Sequence, residues 1–349
     1  MRILIATAQV PFIRGGAEAH AEGLRDALRA EGHEAEIIWI PFKWYPPDKI
    51  LDHMLACRLL DVTEAAGLRV DLLIGLKFPA YLIPHPNKVL WILHQYRTAY
   101  ELWDHALSDL IHWPNGAEIR DAIRQADRQI LPEAKSIFAN SGNVARRLKD
   151  FCGIEAVPLY HPPPHASTFY CAAEAREYLF FPSRLNRLKR QSLVLEALAR
   201  TRAAVRVSFA GAPAEPDYAE ELQALARKLK VHERVEWLGE VTEEEKRRLY
   251  AHALGVIYTP LDEDYGYVTL EAMLSSKALI TCADSGGPLE FVRDEETGLV
   301  SEPTLEALAA AMDKLWAHPR QAKAWGERGK ALYERLDITW PHVVRRLLS

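Results

Sequence analysis

Residues 1–40, MRILIATAQVPFIRGGAEAHAEGLRDALRAEGHEAEIIWI, contain the pattern that decides the fold. An apolar run at 3–8 leads into a turn with two glycines, and residues 17–30 then place apolar side chains at helical spacing. After Gly32 a second apolar run covers 35–40. Two buried strands joined by an amphipathic helix predict a β-α-β unit, whose strands are parallel.

The same alternation continues along the chain. In the first half, further apolar runs that predict parallel strands lie at 70–75, 89–93 and 136–139. The segment His161-Pro-Pro-Pro164 fits neither a helix nor a central strand, so we expect the domain linker there. Beyond it, strands are predicted at 178–182, 205–210, 235–238 and 255–258, and helices at 191–199, 218–229 and 243–252.

This organisation predicts an α/β chain with two Rossmann-like parallel-sheet domains in tandem. We expect an N-terminal domain at 1–164, a C-terminal domain at 165–330, and a C-terminal helix within 331–349 that packs back on the N-terminal domain. Parallel sheets bind ligands beyond the carboxyl ends of their strands. Two such domains facing each other across a cleft would therefore suit a nucleotide-linked ligand.

Composition excludes several classes of protein. A chain of 349 residues has the length of about two domains, and a net charge of −5 does not favour a nucleic-acid partner. The four cysteines are scattered without C-x-x-C spacing, so we expect buried, reduced thiols instead of disulfides or a zinc site. No stretch approaches the roughly 20 apolar residues of a membrane span, and we expect a cytoplasmic protein.

The most informative motif is IYTPLDEDYGYVTLE at 257–271. A strand is predicted to end near Tyr258, a loop carries Glu263 and Gly266, and a helix begins near Val268, with Glu271 in its first turns. The first amides of a helix accept phosphate oxygens, and nearby carboxylates accept hydrogen bonds from sugar hydroxyls. This pattern favours a nucleotide sugar, although two glutamates eight positions apart are also common as a solvated surface pair.

The motif resembles the Glu-x7-Glu signature of retaining family 4 glycosyltransferases of the GT-B fold. Other segments are similar to the same family in the same order: 11–33 with Gly15-Gly16-Ala-Glu, 181–189 (FPSRLNRLK), and 283–299 (ADSGGPLEFVRDEETGL). Pro182-Ser183 departs from the Val-Gly that is usual in the second of these. The likeness is weakest between about 41 and 135.

The resemblance implies transfer of a sugar from a nucleotide-sugar donor to a carbohydrate or glycoconjugate acceptor. A UDP-sugar is the favoured donor and GDP-mannose the alternative. Transfer would proceed with retention, by attack on the face from which the leaving group departs. The acceptor would be a glycan, a lipid-linked molecule or a small molecule, in cell-surface polysaccharide or glycoconjugate synthesis. Peripheral membrane contact stays open.

The resemblance also implies roles for individual residues. In the C-terminal half, Glu271 would bind the ribose hydroxyls, Glu263 the transferred sugar, and Arg184 with Lys189 the diphosphate. The N-terminal half would bind the acceptor. Further donor-binding positions are the amides after Gly266, at Tyr267, Val268 and Thr269, together with Gly15, Gly16, Gly211 and, in the stretch that lies against the base, Val241.

Physical arguments support some of these roles and leave alternatives. Fixed cations after a strand would stabilise the charge of a leaving diphosphate, which favours Arg184 and Lys189, while Arg187 and Arg190 are expected to face solvent. Gly15 and Gly16 would let backbone amides approach a ligand, or would form only a tight turn.

The segment 91–103 concentrates aromatic residues and His94 at a strand end. For the aromatic residues, core packing is favoured over stacking on a sugar ring. His94 is a candidate catalytic residue, because members of the family carry a histidine at the corresponding strand end, facing the donor sugar. An imidazole there can hydrogen-bond a hydroxyl or take its proton.

Metals and cofactors are not favoured. Asp262-Glu-Asp264 matches the pattern Asp-x-Asp, which supports a metal-bound diphosphate in another class of glycosyltransferase. The following Gly266, Glu271 and the available arginine and lysine side chains favour metal-independent chemistry instead. Neither G-x-G-x-x-G nor a Walker sequence is present, so no cofactor is indicated. Two alternatives stay open: an epimerase or phosphorylase on the same fold, and a non-catalytic nucleotide-sugar binding protein.

Overall fold

The computed structural model describes residues 1–349 apart from the side chain of Pro216, and it divides the chain into two compact units. The N-terminal unit comprises Met1–Pro164 and Ile338–Ser349, and the C-terminal unit comprises His165–Asp337. Each unit contains one six-stranded sheet in which every neighbouring pair of strands is parallel. The predicted α/β class with two parallel sheets is confirmed.

The N-terminal unit has strand order β2-β1-β5-β6-β7-β8, with a small antiparallel hairpin formed by β3 and β4. Its strands are β1 (Arg2–Gln9), β2 (Glu34–Pro41), β3 (Glu64–Ala65), β4 (Leu68–Arg69), β5 (Leu72–Gly75), β6 (Lys88–Ile92), β7 (Ser136–Ala139) and β8 (Val157–Pro158). Its helices are α1 (Gly16–Ala30), α2 (Asp48–Leu59), α3 (Gly116–Ile130), α4 (Gly142–Cys152) and, from the end of the chain, α11 (Trp340–Leu348).

The C-terminal unit has the corresponding strand order β11-β10-β9-β12-β13-β14. Its strands are β9 (Leu179–Pro182), β10 (Val207–Ala210), β11 (Val235–Gly239), β12 (Gly255–Ile257), β13 (Leu279–Cys282) and β14 (Gly298–Ser301). Its helices are α5 (Gln191–Leu198), α6 (Pro216–Lys228), α7 (Glu243–His252), α8 (Tyr267–Leu274), α9 (Leu305–Ala317) and α10 (Pro319–Arg335).

The first strand shows why the sheets are covered on both faces. Ile3 and Ile5 are buried in one apolar cluster, and Ala6 and Ala8 are buried in another. Because successive side chains of a strand point to opposite faces, a strand that is apolar at nearly every position needs helices on both sides. The amphipathic α1 covers one of those faces with Leu24 and its neighbours.

At 331–349, where we expect a C-terminal helix that packs back on the N-terminal domain, the chain contains the end of α10 and the whole of α11. Helix α10 ends at Arg335 in the C-terminal unit, Asp337 takes a left-handed φ of 48°, and α11 begins after Thr339, whose hydroxyl accepts the amide of His342. The interruption follows from this left-handed residue and the new N-cap, which end one helix and start another. Helix α11 packs against α1 within the N-terminal unit, with the Trp340 ring against Gly23, where a methyl group would overlap it.

A buried histidine pair lies beside Trp340. Nδ1 of His20 and Nε2 of His161 are 2.7 Å apart, and the His161 ring stacks on Trp340 at 5.8 Å between centroids. Burial lowers the pKa of both histidines, that of His161 to about 3, and the neighbouring His161 ring lowers the pKa of His20 further. Both are therefore neutral at physiological pH.

The cysteines correct one expectation. All four thiols are free, and Cys57 and Cys282 are buried as predicted, but Cys152 is half-buried and Cys171 is exposed. Cys171 lies in the irregular segment before β9, and its side chain is exposed there. Within the described part of the chain, every helix is too short or too polar to cross a bilayer.

Candidate functional site

The candidate site in the C-terminal unit lies where β9, β12 and β13 end, and these strands are neighbours in the sheet. Backbone hydrogen bonds join the loops that follow them. The Leu261 amide donates to the Leu188 carbonyl at 2.7 Å, the Glu263 amide to the Ser285 carbonyl at 2.9 Å, and the Gly287 amide to the Glu263 carbonyl at 2.8 Å. The three loops therefore form one connected layer at the carboxyl edge of the sheet.

Glu263 and Lys189 form an ion pair within this layer. Nζ of Lys189 also lies 3.1 Å from the hydroxyl of Tyr258, whose ring is buried at the end of β12. Burial and then the charge of Glu263 raise the pKa of Tyr258, so the phenol stays protonated and donates. Each side chain of the ion pair keeps about a fifth of its surface exposed, so a ligand can reach the pair.

Glu271 lies in α8 and is buried beside a different cation. Its carboxylate accepts the hydroxyl of Tyr250 at 2.7 Å and Nζ of Lys246 at 3.0 Å, both from α7. Burial lowers the pKa of Lys246, but the attraction of Glu271 and a hydrogen bond to Glu243 outweigh it and raise the pKa above its ordinary value. Lys246 is therefore a cation held against Glu271.

Gly266 lies between the two carboxylates and precedes α8. Its φ is 83°, and a Cβ there would lie 3.3 Å from Cγ of Pro288 and 3.4 Å from Cε1 of Tyr258. Only glycine fits this left-handed, crowded position without strain. The Thr269 amide donates to the Gly266 carbonyl at 3.0 Å, so this amide already has a partner within the first turn of α8.

The basic residues after β9 have different environments. Arg184 is exposed and Arg187 pairs with Glu221, in agreement with a solvated position. The expectation that Arg190 faces solvent is wrong. Its guanidinium binds both oxygens of Asp284, at 2.7 and 2.6 Å, and donates to two carbonyls that follow β12. Arg190 therefore links the three loops. Its left-handed backbone and the several N–H donors of its planar guanidinium permit this role.

Gly211 and Val241 lie beside the same edge, after β10 and β11. A Cβ on Gly211 would overlap the backbone of Ser183 and Arg184, so this glycine allows the two loops to approach closely. Val241 packs against the core of the unit while staying partly exposed. Donor binding by both positions stays a prediction.

In the N-terminal unit, Gly15, Gly16 and His94 all lie at the carboxyl edge of the sheet, after β1 and β6. The Gly15 amide donates to Oε2 of Glu18 at 2.7 Å. A ligand would therefore have to use the next amides of α1, beginning with Gly16. Nδ1 of His94 lies 2.7 Å from the carbonyl oxygen of Gln95. Among the aromatic residues near His94, Trp91 and Tyr100 are buried in the core, in agreement with the favoured packing role.

Sequence reasoning missed the partners of the two glutamates: Tyr258, Tyr250 and Lys246. The last two lie four positions apart and so share one face of α7. That spacing was visible in the sequence, but nothing in the sequence indicated which helix they face. Among the described residues, no three His, Cys, Asp or Glu side chains are grouped in a way that could hold a metal ion.

Comparison with known proteins identifies relatives of this chain. Residues 171–332 match the model of the family described as glycosyl transferases group 1. The chain is 35% identical over 114 residues to alpha-1,3/1,6-mannosyltransferase ALG2 of Dictyostelium discoideum, covering 33% of this chain and 27% of the relative. It is 28% identical over 247 residues to D-inositol 3-phosphate glycosyltransferase of Nocardia farcinica, covering 64% and 53%. The chain thus spans well under two thirds of either relative.

Solved structures resemble nearly the whole chain. Sucrose-phosphate synthase from Thermosynechococcus elongatus superposes with a TM-score of 0.77 at 18% identity, covering 99% of this chain and 96% of the other. Anabaena Alr3699/HepE in complex with UDP-glucose gives 0.73 at 16% identity, covering 100% and 98%. At such identities the likeness shows the fold alone, and it confirms the predicted GT-B fold.

Proposed function

Residues 171–332 form a glycosyl transferases group 1 domain, and from this premise we propose that the protein transfers a sugar from a nucleotide sugar to an acceptor hydroxyl. The C-terminal unit binds the donor and the N-terminal unit binds the acceptor. The enzyme retains the configuration at the anomeric carbon and needs no metal ion. It belongs with the family 4 enzymes that its Glu-x7-Glu motif resembles, and it acts in the cytoplasm.

One observation carries this proposal: the two glutamates flank the start of α8, and each is paired with a different lysine. Glu271 is held by Lys246 and Tyr250, and Glu263 by Lys189. Between them lie the first amides of α8, after Gly266. A nucleotide sugar presents hydroxyls at both ends and a diphosphate in the middle, which matches this order of carboxylate, amides and carboxylate.

Each group then has a distinct task. Glu271 accepts hydrogen bonds from the ribose hydroxyls, and Glu263 accepts one from the transferred sugar. Lys189, Arg184 and the amides of Tyr267 and Val268 stabilise the negative charge that the diphosphate gathers as the glycosidic bond breaks. Because Lys189 is paired with Glu263, the carboxylate and the phosphate of a bound donor would share this lysine.

The proposed donor and acceptor are based on the chemistry of the site and on the similarity of this chain to known proteins. A UDP-sugar is the first candidate, supported by a structural neighbour that was solved with UDP-glucose, and GDP-mannose is the second, supported by the likeness to a mannosyltransferase. The acceptor is a carbohydrate or glycoconjugate hydroxyl. His94 binds a substrate hydroxyl or takes its proton.

A donor panel followed by product analysis tests the proposal. A nucleotide sugar at 100 times its dissociation constant stabilises the protein by about 2.7 kcal/mol, which is a shift of several degrees in the melting temperature. The selected donor is then incubated with carbohydrate acceptors, and products are identified by mass spectrometry. A new glycoside supports transfer. An altered nucleotide sugar would instead show an epimerase, and binding without any turnover a binding protein.

A further inference from the structure

A carboxylate in the N-terminal unit is completely buried, outside the site described above. Asp127 lies on α3 with none of its surface exposed. It accepts three hydrogen bonds: from the Tyr81 hydroxyl at 2.9 Å, the Tyr100 hydroxyl at 2.7 Å and Nε2 of Gln95 at 3.3 Å. Burial raises the pKa of Asp127 to about 6 and the three donors act in the opposite direction, so the group is charged at neutral pH.

These donors come from two segments at the carboxyl edge of the sheet. Tyr81 lies in a short helix after β5, while Gln95 and Tyr100 lie in the loop after β6. A buried charge is expensive unless it is hydrogen-bonded, so these segments are held in the one arrangement that satisfies the carboxylate. The loop after β6 therefore has little freedom at Gln95.

Gln95 is the residue next to His94, and its backbone carbonyl contacts the imidazole ring. The Gln95 carbonyl oxygen lies 2.7 Å from Nδ1 of His94, and a carbonyl can only accept, so Nδ1 carries the proton. In the neutral imidazole, Nε2 is then the basic nitrogen. The tautomer of His94 thus depends on where the Gln95 carbonyl points.

We propose that Asp127 is a positioning residue for His94: by fixing the Gln95 side chain it fixes the Gln95 carbonyl, and thereby selects the imidazole tautomer with a basic Nε2. The inference rests on the proposed function of His94 as the group that binds or deprotonates a substrate hydroxyl.

The environment of Gln95 supports a directional role. Its side chain is buried and Oε1 has no hydrogen-bond partner among the described residues. The hydrogen-bond partners of Nε2 in the described part of the chain are Asp127 and, at 3.1 Å, the sulfur of Cys152, which is a weak acceptor. The orientation of this amide is therefore set by Asp127, and neutralising the carboxylate removes the main force that holds it.

A double-mutant cycle separates positioning from simple stabilisation. Asp127→Asn should lower kcat on the order of 10- to 100-fold while KM for the donor changes less than twofold, because the donor is bound by other residues. In a His94→Ala background the same change should have no further effect, since the positioned group is gone. Equal losses in both backgrounds would overturn the proposal. Gln95→Met, which leaves Asp127 with both tyrosines, should reproduce the loss if Asp127→Asn folds poorly.

A matched control and a readout without turnover complete the test. Asp121→Asn changes an exposed aspartate of the same helix and should leave kcat unchanged. Imidazole ¹H–¹⁵N correlation spectra, assigned with His94→Gln, should show the Nδ1–H tautomer in the wild type and loss of that preference in Asp127→Asn and Gln95→Met. An unchanged tautomer would overturn the proposal even if transfer is never detected, whereas absent transfer with the expected tautomers would refute only the proposed function.

Discussion

Replacing Lys189 with methionine tests the chemistry of the site through its ion pair. The change removes the cation and keeps most of the side-chain volume. The pair with Glu263 is partly exposed, and Glu263 keeps its contact with Tyr258, so the free energy of unfolding should fall by only about 1 kcal/mol. If Lys189 also stabilises the departing diphosphate, kcat should fall by about 10²–10³-fold, equivalent to roughly 3–4 kcal/mol in the barrier.

The test is whether Lys189→Met raises the activation barrier by more than it lowers the free energy of unfolding. Steady-state transfer assays give kcat, and urea unfolding gives the stability of the same preparation. Lys314→Met is the matched control, because Lys314 pairs with Glu295 on the surface of the same unit. A Lys189→Met enzyme with kcat within threefold of the wild type would refute the assigned role, as would a loss no larger than that of Lys314→Met.

Three further predictions concern the glycine, the metal and the histidine pair. Gly266→Ala should lower the free energy of unfolding by about 1–2 kcal/mol and reduce activity. The control Gly32→Ala has the same φ of 83° but nothing within 4 Å of the added methyl group, so it should lose only about 1 kcal/mol and keep full activity. Equal effects of the two substitutions would show that the crowding at Gly266 is irrelevant. Transfer should survive dialysis against EDTA, and activity that is lost and then restored by Mn²⁺ or Mg²⁺ would move Asp262 and Asp264 into the site. The pKa values of His20 and His161 are lowered in the folded protein, so the stability that these residues contribute is present above pH 6.5 and is lost as the pH falls towards 3. Between pH 7 and pH 5, urea unfolding should therefore show that the wild type loses about 1–2 kcal/mol of stability relative to His161→Gln. Parallel pH profiles of the two proteins would contradict this.

The sequence predicted the strands well because they are buried on both faces and read as apolar runs. The runs at 136–139 and 178–182 differ from the observed β7 and β9 by at most one residue at either end. The short β8 and the hairpin of β3 and β4 were not predicted, because two-residue strands are defined by their partners and not by a periodic pattern.

The candidate site was only partly predictable for a related reason. Glu263, Gly266 and Glu271 are close in sequence, and their motif places them around one helix start. Lys246 and Asp284, in contrast, reach the site from other elements, so their importance depends on packing that no local pattern encodes. Arg190 was misassigned because it lies in a run of basic residues, 184–190, that is typical of a solvated helix start, whereas its own side chain binds Asp284.

Calorimetric titration of the nucleoside diphosphate, without the sugar, into two variants tests the central claim most directly. Glu271→Gln removes a buried carboxylate proposed to bind ribose, and should weaken the affinity about 10-fold or more, as expected for a charge-assisted hydrogen bond. Glu263→Gln should leave the affinity within about threefold or tighten it, because it releases Lys189 to the phosphate while turnover falls. Equal weakening in both variants would contradict the account, since it would show that the two carboxylates act as one structural pair.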